Sequence, residues 1–125
     1  MRSYQKILSL GFLLIALPAL GQGMPPLVQA AKDADWDRVL VLLSEQVSVE
    51  EVYGDGTSAL HWASYHDNAA LAQELIEQGM DVDSATDLGV TPLWLAADNG
   101  SSAMADVLLE NGANPNLNLL SGETL

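Results

Sequence analysis

The chain has 125 residues, which suffices for one small domain or a short array of repeats. Its 17 acidic residues and only four lysines and arginines give a formal net charge of −13, so the surface should repel phosphate backbones and anionic lipid headgroups. Nucleic acids and membrane surfaces are therefore not expected partners. The absence of cysteine excludes disulfides, thiolate metal sites and cysteine nucleophiles.

The first 21 residues have the composition of a secretory signal peptide. Two basic residues precede an apolar run over 7–17, and small residues follow up to Gly21. We predict that residues 1–21 are removed on export to a bacterial periplasm or the cell exterior, with cleavage after Gly21 or, as the second choice, after Gly23. The alternative is an uncleaved membrane anchor, but the apolar run is shorter than the roughly 20 residues that span a bilayer, and Pro18 would interrupt the helix.

The rest of the chain repeats itself every 33 residues. Three sets of identical residues recur at this spacing: Leu27, Leu60 and Leu93; Ala30, Ala63 and Ala96; Leu42, Leu75 and Leu108. A fixed period of this length is typical of stacked repeats. After a short linker at 22–26, the period predicts repeats over 27–53, 54–86 and 87–119, and residues 120–125 begin a further one.

The second repeat has the pattern of a turn followed by two helices. Gly56 follows an aspartate in a tight turn, and Ser58 can cap a first helix that runs to about His66. Asn68 can cap a second helix, whose apolar residues share one face at helical spacing. Gly79 ends that helix in the left-handed conformation.

The other two repeats follow the same logic. In the third, Gly89 supplies the turn, Thr91 caps the first helix with Pro92 at its first position, and Gly112 closes the second helix. In the first, Asp35 can cap the second helix. The sequence therefore predicts an all-α chain of helix pairs with a turn between successive pairs.

Several stretches resemble the ankyrin repeat. Residues 91–97 read TPLWLAA and residues 107–116 read VLLENGANPN, which is similar to the ankyrin signature, and residues 58–64 are a looser copy. Residues 30–39 resemble the family's N-terminal capping repeat. The resemblance covers 27–125 and implies an ankyrin-repeat solenoid. The sequence departs from the family pattern at two positions. Trp94 occupies the place of a histidine that usually forms a hydrogen bond between neighbouring turns, and Ala59 replaces a proline.

The chain has two histidines, and their side chains cannot converge on one ion or proton. His61 and His66 point about 140° apart on a helix, at about 100° per residue. The resemblance gives His61 a structural role. His66 is expected to be exposed at the end of the first helix, either contacting a partner or idle.

A metal site is not predicted. Residues 33–37 have an aspartate at every second position, as the start of an EF-hand calcium loop does. An EF-hand loop also needs glycine at its sixth position and glutamate at its twelfth, but those positions hold Arg38 and Ser44. Capping of the second helix by Asp35 explains the pattern better. The sequence shows no phosphate loop, serine elbow or zinc helix. We expect no cofactor, no small-molecule substrate and no catalytic residue.

The resemblance implies binding of a partner protein on the concave face, through the turn tips and the end of each first helix. Without residues 1–21 the chain keeps two basic residues against all 17 acidic ones, which favours a basic partner. Tyr65 is the expected anchor, because a rigid amphipathic ring is a common hot spot. The candidate residues are Gly54, Asp55, Thr57, Tyr65 and His66 in the second repeat, Asp87, Leu88, Val90, Asp98 and Asn99 in the third, and Lys32 and Asp33 in the first.

Two hypotheses of function follow. The first is an exported protein–protein interaction module that scaffolds or inhibits its partner, including the narrower case of a protective partner of one periplasmic enzyme. The second makes these repeats the accessory front of a larger secreted enzyme whose active site lies beyond residue 125. We also predict a longer protein, because a solenoid needs a polar terminal repeat.

Overall fold

The computed structural model describes residues 23–116 and contains six α-helices there. They are α1 Pro26–Lys32, α2 Trp36–Ser44, α3 Ala59–Tyr65, α4 Ala69–Glu77, α5 Pro92–Asn99 and α6 Ser102–Glu110. Residues 23–116 contain no strand, so the all-α prediction is confirmed. The predicted signal peptide over 1–21, the last residues of the third repeat and the start of a further one at 120–125 lie outside the described residues.

Side-chain caps set the start of five of these helices. Each cap oxygen accepts the backbone N–H three residues later, and each such cap contributes about 1 kcal/mol. The caps are Asp35, Ser58, Asn68, Thr91 and Ser101. The first four were predicted from sequence and are confirmed. α1 has no side-chain cap and begins instead with Pro26, whose fixed φ suits the first helical position.

The helices stack in two layers. The inner helices α1, α3 and α5 pack on one another in that order, each inner helix packs on the outer helix that follows it, and α4 packs on α6. Leu60, Leu75, Met104 and Leu108 are completely buried between these layers. A buried leucine contributes about 1.5–3 kcal/mol relative to an exposed one. The equivalent leucines of neighbouring repeats therefore stabilise the stack.

Neighbouring repeats also bond through side chains at the C-terminal ends of the inner helices α3 and α5. His66 Nε2–H donates to the carbonyl of Lys32 at 2.9 Å. Asn99, 33 residues later, donates from its amide to the carbonyls of Ser64 at 3.0 Å and Tyr65 at 2.9 Å. These side chains donate to carbonyls at the end of the preceding inner helix, where intrahelical partners run out. Stacking thus has a polar component as well as an apolar one.

The turns contact each other closely at Gly56. This residue has φ +87°, and a Cβ added there would lie 3.0 Å from the carbonyl oxygen of Ala85 and 3.1 Å from Cα of Thr86. Asp87 N–H also donates to the carbonyl of Asp55 at 2.9 Å. Successive turns are therefore held side by side by backbone contacts, for which only glycine leaves room.

We expect Gly56→Ala to lower the free energy of unfolding by about 1–3 kcal/mol, because alanine is strained in the left-handed conformation and its methyl group meets the next turn. Urea denaturation measures the change. Gly54→Ala is the matched control, since no atom lies within 4 Å of the added Cβ there, and it should change stability by less than about 0.5 kcal/mol. Equal stability of the two variants would contradict the proposed contact between turns.

Candidate partner-binding face

A groove of about 340 Å³ lies between the turns and the inner helices of the second and third repeats. Its lining repeats with the chain period, since Thr57 and Val90, and Trp62 and Leu95, are equivalent positions. We call it the inter-turn groove. Its volume is at the low end of the range for ligand sites, about 300–1,000 Å³. The eight lining residues are Asp55, Thr57, His61, Trp62, Tyr65, Thr86, Val90 and Leu95.

The buried ring of His61 joins the second turn to the third. Ser58 N–H donates to its Nδ1 at 3.0 Å, so Nδ1 is an acceptor, and Nε2–H donates to the carbonyl of Val90 at 2.8 Å. This arrangement requires a neutral ring. Burial, which penalises the charged form, lowers the pKa of His61 below its ordinary value of 6.5, although the Val90 carbonyl and Asp55 favour protonation. At the equivalent position the indole of Trp94 offers no acceptor nitrogen.

Mild acid should weaken the fold. Because the pKa of His61 is lower in the folded chain than in the unfolded chain, the unfolded chain takes up a proton first. The stability contributed by His61 is complete above the unfolded value of 6.5 and declines as the pH falls below it. We expect a lower urea midpoint at about pH 5.5 than at about pH 7.5.

Two glutamine variants identify the histidine responsible for this pH dependence. His61→Gln should flatten the difference between the two midpoints, whereas His66→Gln should retain it. Identical midpoints for the unsubstituted protein at the two pH values would show that burial of a neutral His61 does not contribute to stability.

An oriented carboxylate stands at the rim of the groove. Asp55 is exposed, and its Oδ1 accepts the backbone N–H of Thr57 at 3.0 Å. Hydrogen bonds from the side chain and the backbone of Thr57 lower the pKa of the Asp55 carboxyl below its ordinary 3.8. The groove therefore carries a fixed negative charge at neutral pH.

Four aromatic rings lie beside the groove. Trp62 and Tyr65 meet edge to face with ring centroids 5.4 Å apart, and His66 stacks on Trp62 at 6.0 Å and meets the edge of Trp36 at 5.6 Å. Tyr65 nevertheless remains 54% exposed. The Nε1 donor of Trp62 is buried and has no hydrogen-bond partner among the described residues. The cluster thus extends the apolar surface of the groove onto the first repeat.

The structure brings together four of the residues predicted to bind a partner: Asp55, Thr57, Tyr65 and Val90 all line the inter-turn groove. His66 differs from the expectation. It is half-buried rather than exposed, because it packs against Trp36 and Trp62 of two repeats and bonds to Lys32.

The other predicted residues do not line the groove. Leu88 is 70% exposed at the tip of the third turn, and Asp87 beside it is also exposed. Asp98 is exposed near the end of α5, at the position equivalent to Tyr65. Asn99 is exposed as well, but its amide is engaged with the preceding inner helix. Gly54, Lys32 and Asp33 are exposed without lining the groove.

Sequence reasoning missed half of the lining. Trp62, Thr86 and Leu95 were not among the predicted site residues, and His61 was given only a structural role. Trp62 could have been found, because it lies three residues before Tyr65 on the same helix, and residues at that spacing share a face. The periodicity then extends the same face to Leu95.

The described part of the chain shows neither a metal cluster nor a membrane helix. Within residues 23–116, no group of three or more histidine, aspartate or glutamate side chains is placed to hold a metal ion. Across the same residues, each helix is too short or too polar to cross a membrane.

Comparison with known proteins identifies the architecture. A family model described as ankyrin repeats in three copies matches residues 27–118. The ankyrin repeat domain of human ASB11 is similar with a TM-score of 0.70 and 36% sequence identity, over 74% of this chain and 42% of that one. The NF-kappa-B p105 subunit of Mus musculus is 41% identical over 78 residues, 62% of this chain and 8% of that protein. Palmitoyltransferase ZDHHC13 of Homo sapiens is 32% identical over 92 residues, 73% of this chain and 15% of that protein.

Helix pairs stacked behind a row of turns define a solenoid of helical repeats. The match over 27–118 assigns this solenoid to a family: the chain belongs to the ankyrin-repeat family. The predicted resemblance is thereby confirmed. Ankyrin repeats are protein–protein interaction modules and are typically not catalytic. The chain spans only 8–15% of the length of the two curated relatives named above.

Proposed function

We propose that the protein is an exported interaction module that binds a partner protein on the face formed by its turns and inner helices. The observation that carries this proposal is the inter-turn groove, which combines an apolar lining with an oriented carboxylate and the exposed ring of Tyr65. A cleft with these features fits an anchor side chain of a protein partner. Leu88, exposed on the neighbouring turn, adds apolar surface to the same face.

The charge of the module favours a basic partner. Residues 23–116 hold 16 acidic residues and two basic ones, and both basic residues, Lys32 and Arg38, belong to the first repeat. The second and third repeats are therefore acidic without compensation from their own side chains. Complementary charge accelerates association and disfavours acidic competitors.

A peptide selection tests the proposed face. The folded protein is used to select binders from a random dodecapeptide library displayed on phage, and the affinity of the best synthetic peptide is measured by calorimetry. Tyr65→Ala combined with Asp98→Ala should weaken that peptide about ten-fold or more, because the anchor ring and one charge of the face are removed. Asp106→Ala, an exposed carboxylate on the outer helix α6, is the control and should bind normally. Full affinity of the double variant would refute the proposed face, as would a library that yields no binder.

Export is proposed from the order of basic, apolar and small residues in 1–21. Cell fractionation followed by N-terminal sequencing tests it. We expect the periplasmic or extracellular protein to begin at Gln22 after cleavage at the first site, or at Met24 after cleavage at the second. A cytoplasmic protein that retains Met1 would contradict the proposal.

A second candidate is an accessory repeat segment of a larger enzyme. The observation that favours it is the similarity to human ZDHHC13, a palmitoyltransferase by name, of which this chain spans 15%. Reading the gene past codon 125 separates the two candidates. Further 33-residue repeats support the interaction module, and a non-repeat domain with a catalytic motif supports the enzyme.

A further inference from the structure

We propose that the inter-turn groove receives one arginine side chain of the partner, with the guanidinium between the Asp55 carboxylate and the rings of Trp62 and Tyr65, and the aliphatic part against Val90 and Leu95. This inference rests on the proposed function and names the side chain that the groove selects. Three properties of the groove support this inference: its charge, its aromatic wall (the rings of Trp62 and Tyr65), and its size and polarity.

The charge of the groove comes from one residue. Among the eight lining residues, Asp55 carries the negative charge at neutral pH, because burial and the Ser58 N–H bond to Nδ1 both favour the neutral ring of His61. Asp55 uses Oδ1 to accept from Thr57, so the carboxylate is oriented while it retains acceptor capacity for a ligand. A single oriented carboxylate beside an apolar lining is complementary to a single cation.

The aromatic wall favours a planar cation. Trp62 and Tyr65 stand at 83° to each other, so a group that stacks on one ring meets the other ring at an angle. Guanidinium stacks on aromatic faces and also forms paired bonds to a carboxylate, whereas the ammonium of lysine is a compact and strongly hydrated charge. The combination of two crossed rings and a carboxylate therefore favours arginine over lysine.

The size and polarity of the groove suit a single side chain of a partner. About 340 Å³ is small for a folded element of a partner, and at about 30 Å³ per water molecule it holds a long side chain with some solvent. Val90 and Leu95 offer apolar surface to a methylene chain. The polar groups of His61 are already satisfied within the protein, so they do not compete for the ligand.

The random dodecapeptide selection also tests this inference. We expect peptides selected on the unsubstituted protein to share an arginine, and replacement of that arginine by citrulline in the best synthetic peptide to weaken binding about ten-fold or more. Citrulline keeps the shape of arginine and removes its charge, so the comparison isolates the charge-assisted contact. Lysine at the same position should also bind less well than arginine.

Two protein variants locate the contact. Asp55→Asn should abolish the difference between the arginine and citrulline peptides. Asp106→Asn, which removes an exposed carboxylate of the outer helix α6 outside the groove lining, should preserve it. Peptides that bind the face without arginine, or an arginine preference insensitive to Asp55→Asn, would overturn this inference and leave the proposed function intact. A library without binders to the face would instead count against the proposed function itself.

Discussion

Leu75→Ala should lower the free energy of unfolding by about 2–5 kcal/mol. Leu75 is completely buried in α4 and belongs to the series of equivalent residues Leu42, Leu75 and Leu108, which lie between the two helix layers. Truncation removes buried methyl groups and leaves a cavity that neighbouring repeats cannot fully close. Because the central repeat contacts both neighbours, the loss should destabilise the whole stack, and urea denaturation should show a single shifted transition.

Two further variants make this result interpretable. Leu109→Ala removes the same side chain at a position that is 44% exposed, and it should cost less than about 1 kcal/mol. Leu75→Met keeps the volume and should cost less than about 1.5 kcal/mol, which keeps the test valid if the alanine variant does not fold. Similar losses for Leu75→Ala and Leu109→Ala would contradict the proposed packing of the layers.

His61→Phe should cost about 2–4 kcal/mol although phenylalanine fits the space of an aromatic ring. The substitution deprives two groups of their partners, the backbone N–H of Ser58 and the carbonyl of Val90, which lie in a region where His61 is only 2% exposed. A buried polar group without a partner costs about 1–3 kcal/mol. Thermal or urea denaturation measures the loss.

His66→Phe is the matched control, at the opposite end of the same helix α3. It keeps the aromatic contacts with Trp36 and Trp62 and removes one hydrogen bond to Lys32 from a half-buried ring. The loss should be about 1 kcal/mol or less. If the two phenylalanine variants were equally stable, His61 would not be the residue that joins the second turn to the third.

The helices could be predicted from the sequence because their signals are local. Ser58, Asn68 and Thr91 each bond to the backbone three residues later, so their effect depends only on neighbouring residues. The period of 33 residues then places the same element in each repeat. Local chemistry combined with repetition is therefore sufficient for the fold of this chain.

The surroundings of His66 could not be predicted, because they depend on contacts between repeats. The sequence places this residue at a helix end, where exposure is the ordinary expectation. Its burial results from the ring of Trp36, which lies 30 positions earlier and packs against it across the repeat boundary. The inter-turn groove likewise forms only where the turns of two repeats meet, so a reading of one repeat at a time misses part of its lining.

Family membership establishes the scaffold of this protein and leaves the partner to the particular surface residues. Ankyrin arrays share their stacking, whereas Asp55, Trp62 and Tyr65 belong to this chain's groove. Function on a common scaffold is a property of such a site and not of the fold. The chemistry of the groove, one carboxylate beside two aromatic rings, is accordingly the feature from which a partner can be sought.

Amide NMR spectra recorded while the best selected dodecapeptide is added test the central claim most directly, since they map the contact surface residue by residue. We expect saturable shifts over residues 54–57, at Tyr65 and over residues 87–90, with little change in the outer helices α4 and α6. Shifts concentrated on α4 and α6, with the turns unaffected, would contradict binding at the face formed by the turns and inner helices.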